Sequence, residues 1–221
     1  MAATVWNPGW VQEHTQPLAM HAFRMVETQH IAATMRLVDT AAEQDLLEQM
    51  LDASKPPLPP EAQGIHYLLA APFRYLPPTG SRFRSAHMPG IWYGADGPYC
   101  ACAEIAYWRQ RFLLDSAGLI TQHLLTDHSL YEAAVQGRAI DLQSPPWSQA
   151  ETHWKHPSDY TETQKLGALV REAGDVAWIH YASVRAPGHA CAAVFNPHSL
   201  TMRTPEGRYE RWHCHTTRDR V

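Results

Sequence analysis

The sequence has few cysteines, no long apolar run and no excess of positive charge, and each shortage excludes a class of protein. Four cysteines in 221 residues are too few and too irregularly placed for the framework of a small secreted scaffold, so reduced thiols are expected. A formal net charge of −4 offers no overall basic footprint for nucleic acid or an acidic membrane surface. No apolar run approaches the roughly 20 residues that cross a bilayer.

The chain also lacks the sequence patterns of an export signal, a dinucleotide-binding fold and a serine hydrolase. Met1 to Pro8 contains neither the charged start nor the apolar stretch of an export signal, so we expect a soluble cytoplasmic protein without a membrane partner or a direct nucleic-acid partner. No glycine-rich nucleotide fingerprint is present, which argues against a Rossmann-type oxidoreductase. No nucleophile-elbow pattern surrounds Ser183, which argues against a serine hydrolase.

Spacing also gives little support for a metal site. Cys100 and Cys102 are two residues apart, which differs from the usual zinc-pair spacing and is too tight for a relaxed disulfide. His213-Cys214-His215 would alternate between the two faces of a terminal strand. We predict no metal site and interpret Cys100 and Cys102 as small helix-packing residues.

The length and apolar content predict one main domain with an appendage. With 45% apolar residues the chain can bury one sizeable core. Residues 1–60 are predicted to be an N-terminal helical extension, because apolar residues recur at helical spacing from Glu27 to Leu51 and a proline-rich connector follows from Ser54 to Pro60. Thr40 and Glu43 form a capping-box pattern, which leaves one helix or two open. The extension is either a separable module or a flap that completes the core of the domain at residues 61–221.

Short apolar segments between turn signals predict a sheet in that domain. Two helices are predicted as well, Tyr99–Trp108 and Tyr160–Ala173, the second ended by Gly174. Predicted strands are Ile65–Pro72, Gly90–Gly94, Leu119–Thr126, Arg138–Leu142, Val176–Ser183, Ala190–Phe195 and Gly207–His213. Because several strands follow one another directly, the pattern favours an α+β domain over a doubly wound parallel sheet.

Two polar residues stand in apolar surroundings that call for an explanation. Glu104 lies about two turns into a predicted helix beside Cys102, Ile105 and other apolar residues, and a buried carboxylate needs a partner or a function. Ser183 interrupts an apolar strand, so it either bonds the backbone or faces a ligand.

These residues belong to a series whose order and spacing resemble the RES domain, a family named for an Arg, a Glu and a Ser. The series is Phe73-Arg74-Tyr75, Gly80-Ser81-Arg82-Phe83, Ile91-Trp92-Tyr93, Glu104 and Tyr181-Ala182-Ser183-Val184-Arg185. The resemblance covers roughly residues 65–198. It implies an ADP-ribosyltransferase-like core, with a mixed or antiparallel sheet and flanking helices, that uses NAD⁺ as substrate and cleaves its nicotinamide–ribose bond.

The resemblance also implies roles for individual residues. Glu104 would stabilise the positive charge that develops on the ribose, with Arg82 and Tyr93 as the other catalytic residues. In RES domains one pocket arginine lies on the first strand and another in a glycine-rich turn, and these look like Arg74 and Arg82, with Arg84 as the alternative in the turn. The residues implied to hold NAD⁺ are Arg74, Tyr75, Arg82, Tyr93 and Ser183.

Three functions remain open at this stage. The long N-terminal segment resembles the ParT group of RES toxins, which implies transfer of ADP-ribose to a cytoplasmic protein and a cognate antitoxin that carries a DNA-binding domain. The same pocket could instead deliver ADP-ribose to water or phosphate and so deplete NAD⁺. A non-catalytic nucleotide-binding module is the third reading, and it is favoured if Glu104 points into the core.

Overall fold

The computed structural model describes residues 5–28 and 37–221 and has an α+β fold. One sheet holds seven strands: β1 (Gln16–Glu27), β2 (Trp92–Ala95), β3 (Leu124–Asp141), β4 (Trp178–Ala182), β5 (Ala190–Val194), β6 (Leu200–Met202) and β7 (Glu210–Thr216). The described residues also form six α-helices: α1 (Pro8–Glu13), α2 (Ala41–Ser54), α3 (Tyr67–Ala70), α4 (Pro98–Leu114), α5 (Glu151–Trp154) and α6 (Thr161–Ala173). The predicted fold class is confirmed.

The strand pairings form a closed circuit. The order runs β1–β2–β5–β4–β3, and β3 pairs again with β1 along the whole of Gln16–Glu27. All these pairings are antiparallel except β3–β4, so the sheet is mixed. β6 and β7 extend the sheet along β3.

The N-terminal segment contributes a strand to this circuit. The helical pattern predicted for residues 1–60 holds for α1 and α2, whereas β1 between them is a strand of 12 residues. The capping box at Thr40 is confirmed, with Glu43 N–H bonded to Thr40 Oγ1 at 3.2 Å. Residues 29–36 lie outside the described residues, and with them the first part of the predicted helix from Glu27. Because β1 pairs with two other strands, this segment builds the same sheet as the rest of the chain.

Two strand predictions are wrong. Ile65–Pro72 is helical, because His66 Nδ1 accepts a bond from Leu68 N–H at 3.3 Å and starts α3, and a 3₁₀ turn follows at Ala71–Arg74. A short apolar run of this kind suits a helix as well as a strand. The two strands predicted at 119–126 and 138–142 overlap the two ends of one strand, β3, which begins at Leu124 and ends at Asp141 and whose middle is rich in alanine and polar residues.

The other predicted elements are present. β2, β4 and β5 lie within one to two residues of their predicted bounds, and β7 begins three residues later than expected. Pro98 begins α4, and Gly174 ends α6 in the left-handed conformation with φ of 74°. Among the helices described, none has the length and apolar character needed to cross a bilayer.

Each face of the sheet covers a separate core. Alternate residues of β5 point to opposite faces, so Cys191 belongs to one cluster and Ala192 to the other. The first cluster packs against α1, α4 and α6, and the second packs around Trp92, whose Nε1–H donates to Tyr131 Oη at 3.1 Å. The α4 face is the one that carries the site described next.

Candidate active site

A cavity of about 210 Å³ opens between the sheet and α4. β1, β2, α4 and the turn at residues 81–84 supply most of its wall. The polar residues that line it are Arg24, Ser81, Arg82, Tyr93, Glu104, Tyr160, Tyr181 and Cys191. The volume lies below the roughly 300 Å³ at which pockets for drug-sized ligands begin, so the cavity holds only part of a ligand of that size.

Glu104 lies on the cavity wall two turns into α4, as predicted. Its Oε1 accepts a hydrogen bond from Ser183 Oγ at 2.7 Å. Within residues 5–28 and 37–221, no donor reaches Oε2. The carboxylate is therefore fixed through one oxygen and available to a ligand through the other.

Ser183 fixes this carboxylate and lies just behind the cavity wall. It directly follows β4, is 4% exposed, and its Oγ accepts bonds from the backbone N–H groups of Arg185 at 3.1 Å and Ala186 at 3.0 Å. With both acceptor positions occupied, the hydroxyl proton points at Glu104. Ser183 does not line the cavity, so its predicted role as a direct contact to a ligand has no structural support.

A tight turn presents Arg82 to the cavity. Ser81 and Arg84 pair through two backbone hydrogen bonds of 2.7 and 3.2 Å, which places Arg82 and Phe83 at the tip. Tyr93 Oη holds the tip from β2, because it accepts Phe83 N–H at 3.2 Å and shares a bond of 2.9 Å with Ser81 Oγ. Burial raises the pKa of Tyr93, so its hydroxyl stays protonated at neutral pH.

Arg82 is a buried cation held by neutral groups. Its Nη1 donates to the carbonyl oxygens of Trp154 at 2.8 Å and His156 at 3.1 Å, and its guanidinium lies 4.7 Å from the centre of the Tyr160 ring. In the described part of the chain, no carboxylate pairs with it. Its charge is therefore available to an anionic ligand.

Arg84, the alternative in the turn, does not line the cavity. Its guanidinium donates to the carbonyl oxygens of Pro77, Thr79 and Ser85 at 2.7–3.3 Å. Burial lowers its pKa, and these three carbonyls stabilise the charged form. Arg84 therefore fixes the loop that leads into the turn, and of the two arginines in the turn Arg82 is the one that lines the cavity.

The arginine on the first strand of this sheet is Arg24. It lies in β1, and its Nη1 donates to Tyr93 O at 2.6 Å. Its Nε is buried and, within the described residues, has no hydrogen-bond partner. Arg74 and Tyr75 lie at the end of the 3₁₀ turn after α3, outside the cavity, and Tyr75 is 40% exposed.

A second layer of aromatic and basic side chains borders the cavity. The guanidinium of Arg185 lies 3.5 Å from the centre of the Tyr107 ring and donates to Tyr160 Oη at 3.3 Å and to Pro157 O. Burial raises the pKa of Tyr160. A wider cleft of about 580 Å³ adjoins the cavity and shares Trp108 and Tyr160 with it. The two spaces together offer room for a ligand longer than the cavity alone can hold.

Sequence reasoning missed Arg24, Trp108 and Tyr160, and two of them left a signal. Arg24 is flanked by Phe23 and Met25 in an apolar stretch, which is the same kind of signal that singled out Ser183. Trp108 follows Glu104 by four residues, so the two share one face of α4. Tyr160 precedes α6, and no local pattern indicates that it lies near β1.

Comparisons with known proteins agree with this architecture. The RES domain family profile matches residues 58–216. Among solved structures, a chain of the M. tuberculosis MbcT-MbcA toxin-antitoxin complex has a similar fold, with a TM-score of 0.52 and 12% sequence identity over 96% of this chain and 94% of that chain. No curated protein matches this sequence. Since the family profile spans well over half of its length, the chain belongs to the RES domain family.

Proposed function

We propose that this protein cleaves NAD⁺ at the nicotinamide–ribose bond and transfers the ADP-ribosyl group to a cytoplasmic protein. The observation that carries the proposal is the carboxylate of Glu104, fixed by Ser183 on the wall of a cavity that also contains Arg24 and Arg82. Membership of the RES family supports NAD⁺ as the substrate.

Glu104 matches the main demand of this reaction. Nicotinamide leaves NAD⁺ as a neutral molecule, so the difficult step is the oxocarbenium-like charge that develops on the ribose. A carboxylate already fixed beside that charge stabilises the transition state without reorganising. A Glu104 aimed into the core would have favoured a non-catalytic nucleotide-binding module, whereas its position on the cavity wall favours an enzyme.

Arg24 and Arg82 suit the pyrophosphate of the dinucleotide. Both are held by backbone carbonyl groups, and neither pairs with a carboxylate within the described residues. Guanidinium groups bind phosphate oxygens through charge-assisted hydrogen bonds, and the unpartnered Nε of Arg24 offers one such donor. We assign to Arg24 the first-strand role that the sequence had suggested for Arg74.

Aromatic side chains can hold the two ring systems. Tyr93 lines the cavity, and Trp108 and Tyr160 stand where the cavity meets the wider cleft. Planar rings stack on such side chains. In this proposal the nicotinamide riboside end enters the cavity and the adenosine end lies along the cleft.

Transfer to water or inorganic phosphate is the alternative, and one observation favours it. A cavity of about 210 Å³ that receives a nicotinamide riboside leaves space for only a small acceptor within its walls. A protein acceptor must approach through the mouth of the cavity. Both outcomes use the same Glu104 chemistry and differ only in the acceptor.

The biological setting we propose is a toxin–antitoxin pair. The structure with the similar fold is a complex of the toxin MbcT with the antitoxin MbcA. By analogy, this chain would be the toxin, and its partner an antitoxin with a DNA-binding domain. The assignment to the ParT group rests on the segment before residue 58, and because the match to the MbcT-MbcA complex covers 96% of this chain, that segment does not distinguish the two toxins.

The first test replaces the carboxylate by an isosteric neutral group. Glu104→Gln is expected to fold and bind NAD⁺ but to release nicotinamide more slowly by on the order of 10²–10³, because the change removes the charge and keeps the shape. Glu172→Gln, at an exposed position on α6, is the matched control and should keep full activity. Turnover near the normal rate in Glu104→Gln would contradict the assignment.

The second test identifies the acceptor. The protein is incubated with adenine-labelled NAD⁺ in cell lysate and, separately, in buffer with and without inorganic phosphate. A labelled protein band that is absent with Glu104→Gln supports transfer to protein. Nicotinamide release without a labelled band, giving free ADP-ribose or its phosphorylated form, supports the alternative.

A further inference from the structure

Two thiols and the Glu104 carboxylate meet beside the cavity, which Glu104 and Cys191 line. Cys100 and Glu104 are four residues apart on α4 and so share one face of the helix, and Cys191 reaches them from β5. Their sulfur and oxygen atoms all lie within 4.8 Å of one another. The spacing in the sequence hides this cluster because its second thiol lies 91 residues beyond the first.

We propose that Cys100, Glu104 and Cys191 form a binding site for a thiophilic divalent cation of the zinc class. The ligand set is two sulfurs and one carboxylate oxygen, which zinc accepts in its tetrahedral sites. With three protein ligands, one coordination position remains for water or another small ligand.

The distances fit this geometry with little movement. A tetrahedral zinc with Zn–S bonds of about 2.3 Å holds two sulfurs about 3.8 Å apart. The Cys100 and Cys191 sulfurs are 3.8 Å apart, and Cys191 Sγ is 3.8 Å from Glu104 Oε1. Fully buried ligands are also held in place by the core, since Cys100 is 0% and Cys191 2% exposed.

Binding of the cation exchanges protons for metal. The contact between the two thiols raises the pKa of Cys191 and lowers that of Cys100, so Cys191 is the thiol that carries its proton at pH 7. Forming the complex makes two S–metal bonds and breaks each S–H bond that is present, so between one and two thiol protons pass to solvent for each cation. The affinity is therefore expected to rise with pH.

The cation would reach the site through the cavity and would occupy the Glu104 carboxylate there. Glu104 and Cys191 line the cavity, so a cation can reach them through it. A bound cation would occupy the carboxylate and the adjacent space. If the proposed function is right, the cation is then a reversible inhibitor of NAD⁺ cleavage. The binding itself does not depend on that function.

Cobalt(II) gives a readout of binding that is separate from activity. The other two thiols, Cys102 and Cys214, are removed in the double variant Cys102→Ser/Cys214→Ser, so that any thiolate signal comes from the cluster. With a phosphine reductant present, one equivalent of Co²⁺ should give a near-ultraviolet thiolate band and the visible bands of a tetrahedral site. Cys100→Ser in that background should reduce the thiolate band by about half or abolish it. Absence of the band, or a band unchanged by Cys100→Ser, would overturn the proposal.

A measurement on the unaltered chain covers the case in which Cys100→Ser does not fold. Zinc added at pH 7 in weak buffer should release between one and two protons per bound cation, with the same value in the Cys102→Ser/Cys214→Ser variant. Release of less than one proton would contradict thiolate ligation. Inhibition of nicotinamide release by zinc, reversed by a chelator, is the separate test of the regulatory consequence. Binding without inhibition would overturn that consequence and leave the site standing.

Discussion

Within the described residues, the Ser183 hydroxyl donates its proton to Glu104. Two backbone N–H groups occupy the acceptor side of Oγ, and Glu104 Oε1 receives the proton at 2.7 Å. A carboxylate side chain has three rotatable bonds, so a fixed donor reduces the conformations it explores. We therefore regard Ser183 as a positioning residue for Glu104 in the proposed reaction.

Removing this hydroxyl should affect catalysis more than binding. Ser183→Ala is expected to lower kcat for nicotinamide release by on the order of 10- to 100-fold with little change in KM, since it removes a hydrogen bond to a charged group. Ser183→Thr should restore part of the loss. Ser144→Ala is the matched control, because Ser144 Oγ donates to Asp141 Oδ2 at 2.6 Å away from the cavity. A KM effect equal to the kcat effect would point to a role in binding.

Arg24 and Arg74 are the two candidates for the first-strand role, and substitution of each one by alanine distinguishes them. Arg24→Ala is expected to weaken NAD⁺ binding by ~1.5–3 kcal/mol, as when a charge-assisted hydrogen bond is lost, whereas Arg74→Ala should leave the affinity unchanged. Isothermal calorimetry on both variants, with circular dichroism to confirm folding, measures the difference. The reverse order would restore the assignment to Arg74.

Single residues are predicted best where the signal lies within a short stretch of the sequence. Glu104 and Tyr93 lie on the cavity wall as expected, since a carboxylate within an apolar helix and a tyrosine within a glycine-bounded strand are visible in short windows. Arg24 was missed because its place beside Tyr93 depends on a pairing across 69 residues. No local periodicity encodes such a contact.

At the scale of elements, α6 and the arginine turn approach each other through Gly167. A Cβ at this position would lie 1.9 Å from the carbonyl oxygen of Phe83, so only glycine permits the contact. The amide of Gln164 adds a bond to Ser81 O at 3.0 Å one turn earlier. Helix α6 therefore fixes the position of the turn that carries Arg82.

Gly167→Ala should reverse the usual effect of this substitution. In a helix interior the change normally stabilises by about 1 kcal/mol, whereas here we expect destabilisation of ~1–3 kcal/mol because two backbones must separate. The measurement is chemical denaturation, together with NAD⁺ affinity as a report on Arg82. Gly118→Ala is the control, since an added Cβ there meets no atom within 4 Å. A stabilised Gly167→Ala variant would show that the contact is loose.

Elements were predictable where glycine or proline marked their ends. Pro98 and Gly174 identified the start of α4 and the end of α6. β3 was predicted as two strands because its middle contains alanine and polar residues with low strand propensity, and β1 stabilises it there through pairing. The run at 65–72 was read as a strand because apolar runs of that length do not distinguish a strand from a helix.

At the scale of the whole molecule, the closed circuit makes the N-terminal segment part of the fold. β1 pairs with β3 from Gln16 to Glu27 and with β2 at Phe23, and Trp6 and Met25 are buried in the core. α2 contributes much less, because Gln44 is its one buried residue. Removal of β1 should therefore impair folding much more than removal of α2.

A pair of deletions tests this difference. A chain that begins at Pro56 lacks β1 and is expected to be insoluble or to show no cooperative unfolding. Replacement of residues 41–54 by a glycine–serine linker should keep the circular dichroism of the sheet and the release of nicotinamide. A soluble chain from Pro56 with a cooperative thermal transition would show that the remaining strands close without β1.

The same circuit makes assembly of the cavity wait for the synthesis of β4 and β5. β1 leaves the ribosome first, but β4, Ser183 and β5 follow only after residue 178. At about 5–20 residues per second, β1 waits roughly 8–30 s for β5. Until then Glu104 has neither its hydroxyl donor nor the strand that brings Cys191. A nascent chain therefore has no assembled site until β5 has been synthesised, and a ligand of the cavity can bind only to chains that have passed that point.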